Sequence, residues 1–252
     1  LHKGVTALNN TTTMERMRML RLPGMLRAFR ESLETPGAEA ATIDEMVARM
    51  IDAEWDERRN RKLARLFKDA SFRYRAHPEE IDYSPQRKLD RTTLSRLFSC
   101  EWIRKAENVI ITGATGTGKS YISCALGHAA CVSGMRVRYA NVMKLFSQLK
   151  IARADGSYAK EMRTLLRCDL LILDDFGLKP LDADSRLSLL EMLEDRFKVH
   201  STVLVSQIPS AKWFECIGDA TIADAIFDRL VHNAHRIALE GDSLRKTKRK
   251  LG

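Results

Sequence analysis

The sequence lacks long hydrophobic stretches. No run of apolar residues approaches the roughly 18 that a membrane-spanning helix requires, and no secretory signal is present. Cysteine is also scarce: the five are widely spaced, with no C-x-x-C pair and no histidine at a metal-binding spacing. These absences exclude a disulfide framework and a zinc site, and they predict a cytoplasmic protein with reduced core cysteines and no membrane partner. The cysteines are Cys100, Cys124, Cys131, Cys168 and Cys216.

The overall composition is that of a globular protein with a basic balance of charge. The 252 residues are 44% hydrophobic, which suffices for one large domain or for a core with a smaller appendage. The formal net charge of +9 favours a polyanionic partner. The chain begins with Leu1 rather than methionine. We expect residues 1–13 to be an upstream extension or a cloning remnant, with Met14 as the natural start.

A glycine-rich segment, VIITGATGTGKS over residues 109–120, fits the pattern G-x-x-x-x-G-K-[ST] directly after a β-branched run. A chance glycine-rich turn would not be expected to have a strand before it and a helix after it. Backbone N–H groups at such a helix start form an anion site, to which a lysine and a Mg²⁺-binding hydroxyl are added. The pattern therefore predicts binding of ATP with Mg²⁺. The residues expected at the phosphates are Gly113, Ala114, Thr115, Gly116, Thr117, Gly118, Lys119, Ser120 and Tyr121, with the Ser120 hydroxyl on the metal.

Two acids follow a second apolar run. Leu170–Leu173 is a strand in this interpretation, and Asp174 and Asp175 come directly after it. The carboxyl end of a parallel strand lies at the same edge of the sheet as the phosphate loop, so Asp174 is expected to hold Mg²⁺, directly or through water. Asp175 is expected to polarise the attacking water as a general base. The alternative is a common acidic turn after a core strand.

The strand predicted over Thr202–Val205 also ends in polar residues, Ser206 and Gln207. A polar side chain at this position of a phosphate-loop sheet can sense the γ-phosphate or orient water. We expect Gln207 to do so, with Ser206 as the alternative. Outside such a sheet, a single polar residue at a strand end usually forms a turn.

The order of predicted elements indicates an α/β protein with a three-layer parallel sheet core. Strands are expected at 109–112, 137–140, 170–173 and 202–205, separated by helices at 119–133, 141–150, 158–167 and near 184–198. Strands that alternate with helices in this way form a parallel sheet covered on both faces. This core is expected over residues 99–244, and the basic C-terminal tail spans residues 245–252.

Residues 14–75 are predicted to form a small all-helical N-terminal domain that binds a partner or DNA. Apolar residues recur at helical spacing from Ile43, and Thr42 with Glu45 fits a capping box. We therefore expect one long helix from about 43 to 70. Residues 76–98, which include Pro78 and Pro85, are expected to be a connector.

Basic residues are concentrated in three places, where rows of cations would give salt-dependent binding of duplex DNA without sequence preference. One row would lie on the long helix opposite Leu63, Leu66 and Phe67. A second would flank the segment before the acidic strand, and the third is the C-terminal RKTKRK. The alternative for each helical row is a solvated amphipathic face. The candidates are Arg58, Arg61, Lys62, Arg65 and Lys68, then Lys144, Lys150 and Arg153, with Lys160 and Arg163 beside them.

Several segments together resemble the IstB family of insertion-sequence AAA+ ATPases, which are similar to DnaC helicase loaders and more distantly to DnaA. The phosphate loop itself is unspecific. The more specific segments are SQIP with the following tryptophan and IGDATIADAIFDRL, together with DLLILDDFG and HRIALEGDSLRK. The resemblance covers most of residues 14–246 and implies a P-loop NTPase fold of the AAA+ type.

The resemblance also implies a homo-oligomer whose subunits complete one another's sites. Arg229 matches the arginine finger that would reach ATP bound by the neighbouring protomer, and Arg245 matches the sensor-2 position. The alternatives are an ion pair of Arg229 with Asp228 or Asp224, and a DNA-backbone contact of Arg245. Many AAA+ proteins have Asp-Glu where this chain has Asp174-Asp175, and the shorter side chain is consistent with slow or partner-triggered hydrolysis.

The leading functional hypothesis is an ATP-dependent AAA+ regulator that assembles on duplex DNA. As the resemblance implies, it would prepare or select target DNA and stimulate a cognate transposase. The alternative is a DnaC-type loader whose N-terminal helices grip a replicative helicase. A small-molecule kinase and a DNA scaffold that only binds nucleotide remain as hypotheses of other classes.

Overall fold

The computed structural model describes residues 2–34 and 42–244. The chain divides into two compact units, residues 1–65 and residues 66–252. The division falls inside a helix, and residues 76–98, expected to be a connector, belong to the larger unit. Leu94 and Leu97 explain this placement, because both are buried in the core of that unit.

The smaller unit consists of helices α1 (His2–Met19), α2 (Pro23–Glu34) and most of α3 (Ile43–Ala70). The long helix predicted at 43–70 is confirmed, as is its capping box: the Thr42 amide donates to Glu45 Oε2 at 2.9 Å, and the Glu45 amide donates to Thr42 Oγ1 at 3.3 Å. Between α2 and α3, the buried Glu54 carboxylate accepts hydrogen bonds from the Gly24 amide and Arg58 Nε. A side chain at Gly24 would collide with the α3 backbone, since its Cβ would lie 2.2 Å from the Ala53 oxygen.

The larger unit is built on a five-stranded parallel sheet with the order β2-β3-β4-β1-β5. Four strands match the prediction, and the fifth was missed. This fifth strand lies at the edge of the sheet, and only Ile237 and Leu239 in it are buried. It therefore lacks the continuous apolar run that reveals a central strand. The strands are β1 (Asn108–Gly113), β2 (Val137–Asn141), β3 (Leu170–Phe176), β4 (Ser201–Ser206) and β5 (Ala234–Leu239).

Helices cover both faces of the sheet, as expected. On one face, Gly127 of α6 lies so close to β3 that an added Cβ would be 2.9 Å from Ile172 Cδ1. On the other face, Leu171 and Leu173 join a single hydrophobic cluster with residues of the helices from α7 to α11. The helices of this unit after α3 are α4 (Arg91–Phe98), α5 (Glu101–Arg104), α6 (Lys119–Val132), α7 (Val142–Asp155), α8 (Tyr158–Leu166), α9 (Ala183–Arg196), α10 (Trp213–Ile217) and α11 (Ala220–Val231).

Arg196 ties the end of α9 to the core through a buried guanidinium that is 1% exposed. Nη1 donates to the carbonyl oxygens of Leu165 and Cys168 at 2.9 Å, and Nη2 donates to that of Ser201. Burial lowers the pKa of this arginine below its ordinary value. The guanidinium therefore binds carbonyl oxygens near the end of α8, in the loop before β3 and at the start of β4.

We expect Arg196→Met to lower the free energy of unfolding by about 3 kcal/mol. The substitution leaves three buried carbonyl oxygens without their donor, and this loss outweighs the gain from removing a buried charge. Urea denaturation would measure the change. Arg104→Met is the control, because that side chain is 54% exposed and its loss should cost less than about 0.5 kcal/mol. Equal midpoints for the two variants would contradict the structural role of Arg196.

Candidate active site

The site lies where adjacent strands β1, β3 and β4 end at the same edge of the sheet. A loop over residues 114–118 joins β1 to α6 there, and a cavity of about 370 Å³ opens beside it. The position follows the general rule for open parallel sheets, in which ligands bind outside the carboxyl ends of the strands. Its lining is Arg73, Tyr74, Thr115, Gly116, Gly118, Lys119, Ser120, Tyr121, Asp175, Leu178, Gln207 and Leu244.

Glycine is required in the loop for close packing as well as for its backbone angles. Gly113 has φ +149°, and a Cβ there would lie 2.4 Å from the Leu239 oxygen. Gly116 has φ +86°, and its Cβ would lie 2.0 Å from Ser243 Oγ. Thr117 is fully buried and its hydroxyl donates to the Ala114 oxygen at 2.9 Å. Close packing and this hydrogen bond therefore stabilise the loop.

Lys119 is the first residue of α6, and its amine folds back over the loop. Nζ donates to the Ala114 oxygen at 2.7 Å, and the residue is 6% exposed. The first turn of α6 contains no acidic residue, and Gly118 caps the helix without a side chain. Helix N–H groups and a nearby ammonium group thus meet at the cavity, which is the arrangement that binds a phosphate chain. Ser120 and Tyr121 follow on the same turn.

Two segments distant in sequence hold this loop from behind. The Leu244 amide donates to the Gly116 oxygen at 3.0 Å, and the Leu244 side chain reaches the cavity. Arg87 Nη1 donates to the Thr117 oxygen, while Arg87 Nε pairs with Asp82 at 2.8 Å. Neither contact was predicted from the sequence, because no local pattern marks it. Arg245, the predicted sensor-2 residue, lies outside the described residues.

Asp174 ends the buried part of β3 and is itself fully buried. Its Oδ2 accepts a hydrogen bond from the Tyr139 hydroxyl at 2.5 Å, and its Oδ1 accepts one from the Asp175 amide at 2.8 Å. Burial and the hydrogen bond to Asp174 raise the pKa of Tyr139. The tyrosine therefore stays a hydrogen-bond donor that fixes the orientation of this carboxylate.

Asp175 turns out of the strand into the cavity. It has φ +61°, in the left-handed region, and the register of β3 against β4 shifts at this point. Such a conformation costs a residue with a side chain about 1–3 kcal/mol and is found preferentially at functional sites. The Asp175 Oδ2 accepts hydrogen bonds from Asn141 Nδ2 at 2.8 Å and from Arg73 Nη1 at 3.0 Å. Neither partner was singled out from the sequence, although Asn141 is the last residue of β2.

The two polar residues at the end of β4, Ser206 and Gln207, have different surroundings. Ser206 is fully buried, and its hydroxyl donates to the Phe176 oxygen at 2.9 Å. Gln207 lines the cavity, where its Oε1 accepts a hydrogen bond from the Thr115 hydroxyl at 2.6 Å. The geometry thus favours Gln207 over Ser206 as the group that could meet a ligand.

Arg229 lies far from this cavity. Its backbone oxygen accepts a hydrogen bond from Asn108 Nδ2 at 3.1 Å, so it sits at the start of β1, whereas the phosphate loop follows the end of that strand. A six-residue strand spans roughly 17–20 Å. The guanidinium pairs with Glu194 at 2.6 Å rather than with Asp228 or Asp224, and the side chain is 25% exposed. Arg229 cannot complete the site of its own chain.

The candidate DNA-binding residues lie on two helices, α3 and α7, and several of them have partners within their own unit. On α3, Arg58 pairs with Glu54 and Arg61 with Glu57, at 2.7 and 3.5 Å. The rest of this row, Lys62, Arg65 and Lys68, is exposed. In the second row, Lys144 is exposed, Lys150 lies 4.0 Å from Asp182, and Arg153 stacks on the Tyr158 ring at 3.8 Å.

The donor set fits a Mg²⁺ ion that is bound together with a phosphate chain. Among the described residues, no group of three or more His, Cys, Asp or Glu could hold a metal by itself. Mg²⁺ commonly uses one or two carboxylates, substrate phosphates and waters. Ser120 lines the cavity, and the buried Asp174 lies directly before Asp175, which lines it as well, so a hydroxyl and a carboxylate of that kind are present. No helix in the described part of the chain is long and apolar enough to span a bilayer.

Comparison with solved structures identifies the fold. The DnaC helicase loader superposes with a TM-score of 0.54 over 70% of this chain and 99% of its own, at 18% identity. The AMPPCP-bound DnaA of Aquifex aeolicus gives a TM-score of 0.57 over 70% of this chain and 55% of its own, also at 18% identity. The sheet and its helices therefore share the fold of these proteins, which is the AAA+ P-loop fold that the sequence predicted.

Sequence comparison identifies the family to which the chain belongs. The chain is 45% identical to the insertion sequence ATP-binding protein y4pL of Sinorhizobium fredii, over 94% of this chain and 97% of that one. It is 40% identical to the ATP-binding protein of insertion sequence IS1162 from Pseudomonas fluorescens, over 79% and 87% of the two chains. The family described as IstB-like ATP binding protein matches residues 15–252. With the phosphate loop, the acidic strand end and the AAA+ sheet all present in one chain, this protein belongs to the IstB-like family of insertion-sequence ATP-binding proteins.

Proposed function

We propose that this protein is a Mg²⁺-dependent ATPase that oligomerises on duplex DNA, prepares or selects target DNA and stimulates a partner transposase. The observation that carries this proposal is the division of the catalytic groups. Lys119, Asp175 and Gln207 surround one cavity, whereas Arg229 lies at the opposite end of the sheet. Such a site is complete only when a second copy supplies the arginine. The relatives' link with insertion sequences supports the transposase as partner.

The phosphate chain of ATP would lie against the loop and the start of α6. Lys119 would exchange its hydrogen bond to the Ala114 oxygen for contacts with the β- and γ-phosphates. The remaining phosphate contacts would come from backbone amides between Gly113 and Tyr121. That a DnaA with the same fold binds AMPPCP supports a nucleotide as the ligand.

Hydrolysis needs a polarised water and stabilisation of charge on the γ-phosphate. Asp175 is placed to accept a hydrogen bond from that water, because its side chain reaches the cavity and is 18% exposed. Gln207 is placed to orient the same water or to contact the γ-phosphate. Mg²⁺ held by Ser120 and Asp174 would neutralise part of the phosphate charge.

Arg229 would act on the neighbouring subunit. It lies near the end of α11, and its ion pair with Glu194 is partly exposed, so contact with a second copy could replace it. Partly exposed ion pairs are weak and are readily exchanged for a stronger partner such as a triphosphate. The same arrangement would make hydrolysis depend on assembly.

Duplex DNA would be the surface on which the copies assemble. The exposed cations of α3 and of α7 would contact phosphates, which gives affinity without base recognition. Arg58 and Arg61 would have to leave their ion pairs with glutamates before they could contact a DNA phosphate. Lys62, Arg65 and Lys68 have no ion pair within the described part of the chain, so they would be the stronger contributors.

Electron microscopy of the full chain with linear duplex DNA tests this assembly. We expect oligomers that enclose or line the DNA with ATP and smaller species without it. A persistent monomer under both conditions would contradict the proposal.

DNA binding should also weaken with salt, with log K falling by more than about one unit per unit of log[salt]. Lys62→Gln should reduce that slope by about one, whereas Lys212→Gln, exposed on the larger unit, should leave it unchanged.

A DnaC-type helicase loader is the second candidate, favoured by the shared fold. The two functions use the same ATPase core and differ in the protein that they contact. Pull-down with the cognate transposase and, separately, with the replicative helicase distinguishes them. Capture of the helicase alone would replace the transposition hypothesis.

A further inference from the structure

Arg73 occupies a position that the catalytic scheme above does not use. Its Nη1 lies 3.0 Å from Asp175 Oδ2 and 3.6 Å from Asp174 Oδ2, so one guanidinium faces both acids of the site. The side chain is 38% exposed and lines the cavity together with Lys119 and Ser120. The contact joins residues 102 positions apart. It is therefore a tertiary feature and no consequence of the acidic strand itself.

We infer that Arg73 is a cis-acting restraint that holds Asp175 away from the attacking water and competes with Mg²⁺ for the carboxylate edge of the site. The inference concerns regulation of the ATPase site and rests on the function proposed above. Arg73 is a positioning residue here, because it acts through Asp175 and not on the substrate.

The hydrogen bonds of Asp175 explain how the restraint works. A single oxygen, Oδ2, accepts from both Arg73 and Asn141, so its lone pairs are directed at protein donors. A water would have to displace one of the two before that oxygen could polarise it. Asn141 is neutral and ends β2, whereas Arg73 adds a full positive charge where a divalent cation would bind. Removal of Arg73 would therefore affect both the availability of Asp175 as the general base and the binding of Mg²⁺.

The anchoring of Arg73 makes the restraint reversible. Phe72, directly before it, packs against α6 so closely that a Cβ on Gly127 would lie 2.4 Å from Phe72 Cε1. The residue before Arg73 is therefore closely packed, while the partly exposed guanidinium can move toward solvent. Partly exposed ion pairs contribute little net stability, so a bound metal and triphosphate can replace this one. The restraint would lower turnover without abolishing it.

Arg73→Gln tests the restraint with two measurements. The kcat of ATP hydrolysis without DNA or transposase is expected to rise about three- to tenfold, with a smaller change in KM, since the substitution frees the base. The Mg²⁺ concentration that half-saturates binding of a fluorescent ATP analogue is expected to fall by a similar factor. Arg73→Lys keeps the charge and should stay near the wild type. Arg75→Gln removes a charge two residues away and is the matched control.

A lower kcat in Arg73→Gln would overturn the inference, because it would make Arg73 a contributor to hydrolysis. An unchanged Mg²⁺ requirement would overturn it as well. If the wild-type protein hydrolyses no ATP under any condition, the proposed ATPase function fails, and the Mg²⁺ dependence of nucleotide binding still decides the role of Arg73. Circular dichroism melts of the three variants check that each is folded.

Discussion

Asp175→Asn is expected to bind ATP as the wild-type protein does and to lose turnover by a factor of about 100 or more. The two side chains have nearly the same shape, so the left-handed backbone at this position and its place in the cavity are preserved. An amide cannot accept the proton of the attacking water, and removal of a positioned general base typically costs 10²–10⁴ in rate. Phosphate release measures turnover, and a fluorescent ATP analogue measures binding.

Asp169→Asn is the matched control for this variant. Asp169 precedes the opposite end of β3, where its carboxylate pairs with Arg136 at 3.3 Å. Its loss removes the same charge from the same segment and should leave turnover close to that of the wild type. Undiminished hydrolysis by Asp175→Asn would refute the role of Asp175 as the base. Equal losses in both variants would show that the effect is one of net charge.

Arg229→Ala is expected to reduce turnover by about 10³-fold, in the range of arginine-finger losses, while ATP binding is retained. The binding groups lie at the other end of β1 and do not contact Arg229, so only the neighbouring subunit's reaction should suffer. Glu194→Gln, which removes the present partner of Arg229, should change turnover far less.

Mixing two inactive variants separates an intersubunit role from a local one. Lys119→Ala lacks the amine of the phosphate loop but keeps Arg229, and Arg229→Ala has the opposite defect. A mixed assembly contains sites in which an intact loop meets an intact arginine, so part of the activity should return. If mixtures assemble on DNA but regain no ATPase activity, the assignment of Arg229 as an arginine finger is contradicted.

Local patterns made much of the site predictable. The phosphate loop, the acids after β3 and the polar end of β4 each lie within a few residues of an apolar run, and parallel strands bring their carboxyl ends to one edge. The same periodicity gave four strands and the long helix from Ile43. It failed for β5, because an edge strand buries too few side chains to show a continuous pattern.

Contacts between distant segments were not predictable in this way. No sequence pattern marks Arg73, yet the fold sets it against Asp175. Leu244 and Arg87 likewise support the phosphate loop. Leu244 belongs to a segment that carries the family resemblance, but no local pattern indicates that its amide contacts the loop. The ion-pair partner of Arg229 is also not one of its neighbours in sequence. It is Glu194, because α9 packs beside α11.

The sequence by itself determined which chemistry this protein can carry, since the spacing of glycine, lysine, serine and paired acids around strand ends fixes a phosphate site through local backbone geometry. Only the tertiary structure decided how that chemistry is arranged. It separated Arg229 from its own loop by the length of β1 and placed Arg73 on the catalytic acids. Both outcomes depend on packing between segments about 100 or more residues apart, which no local pattern encodes.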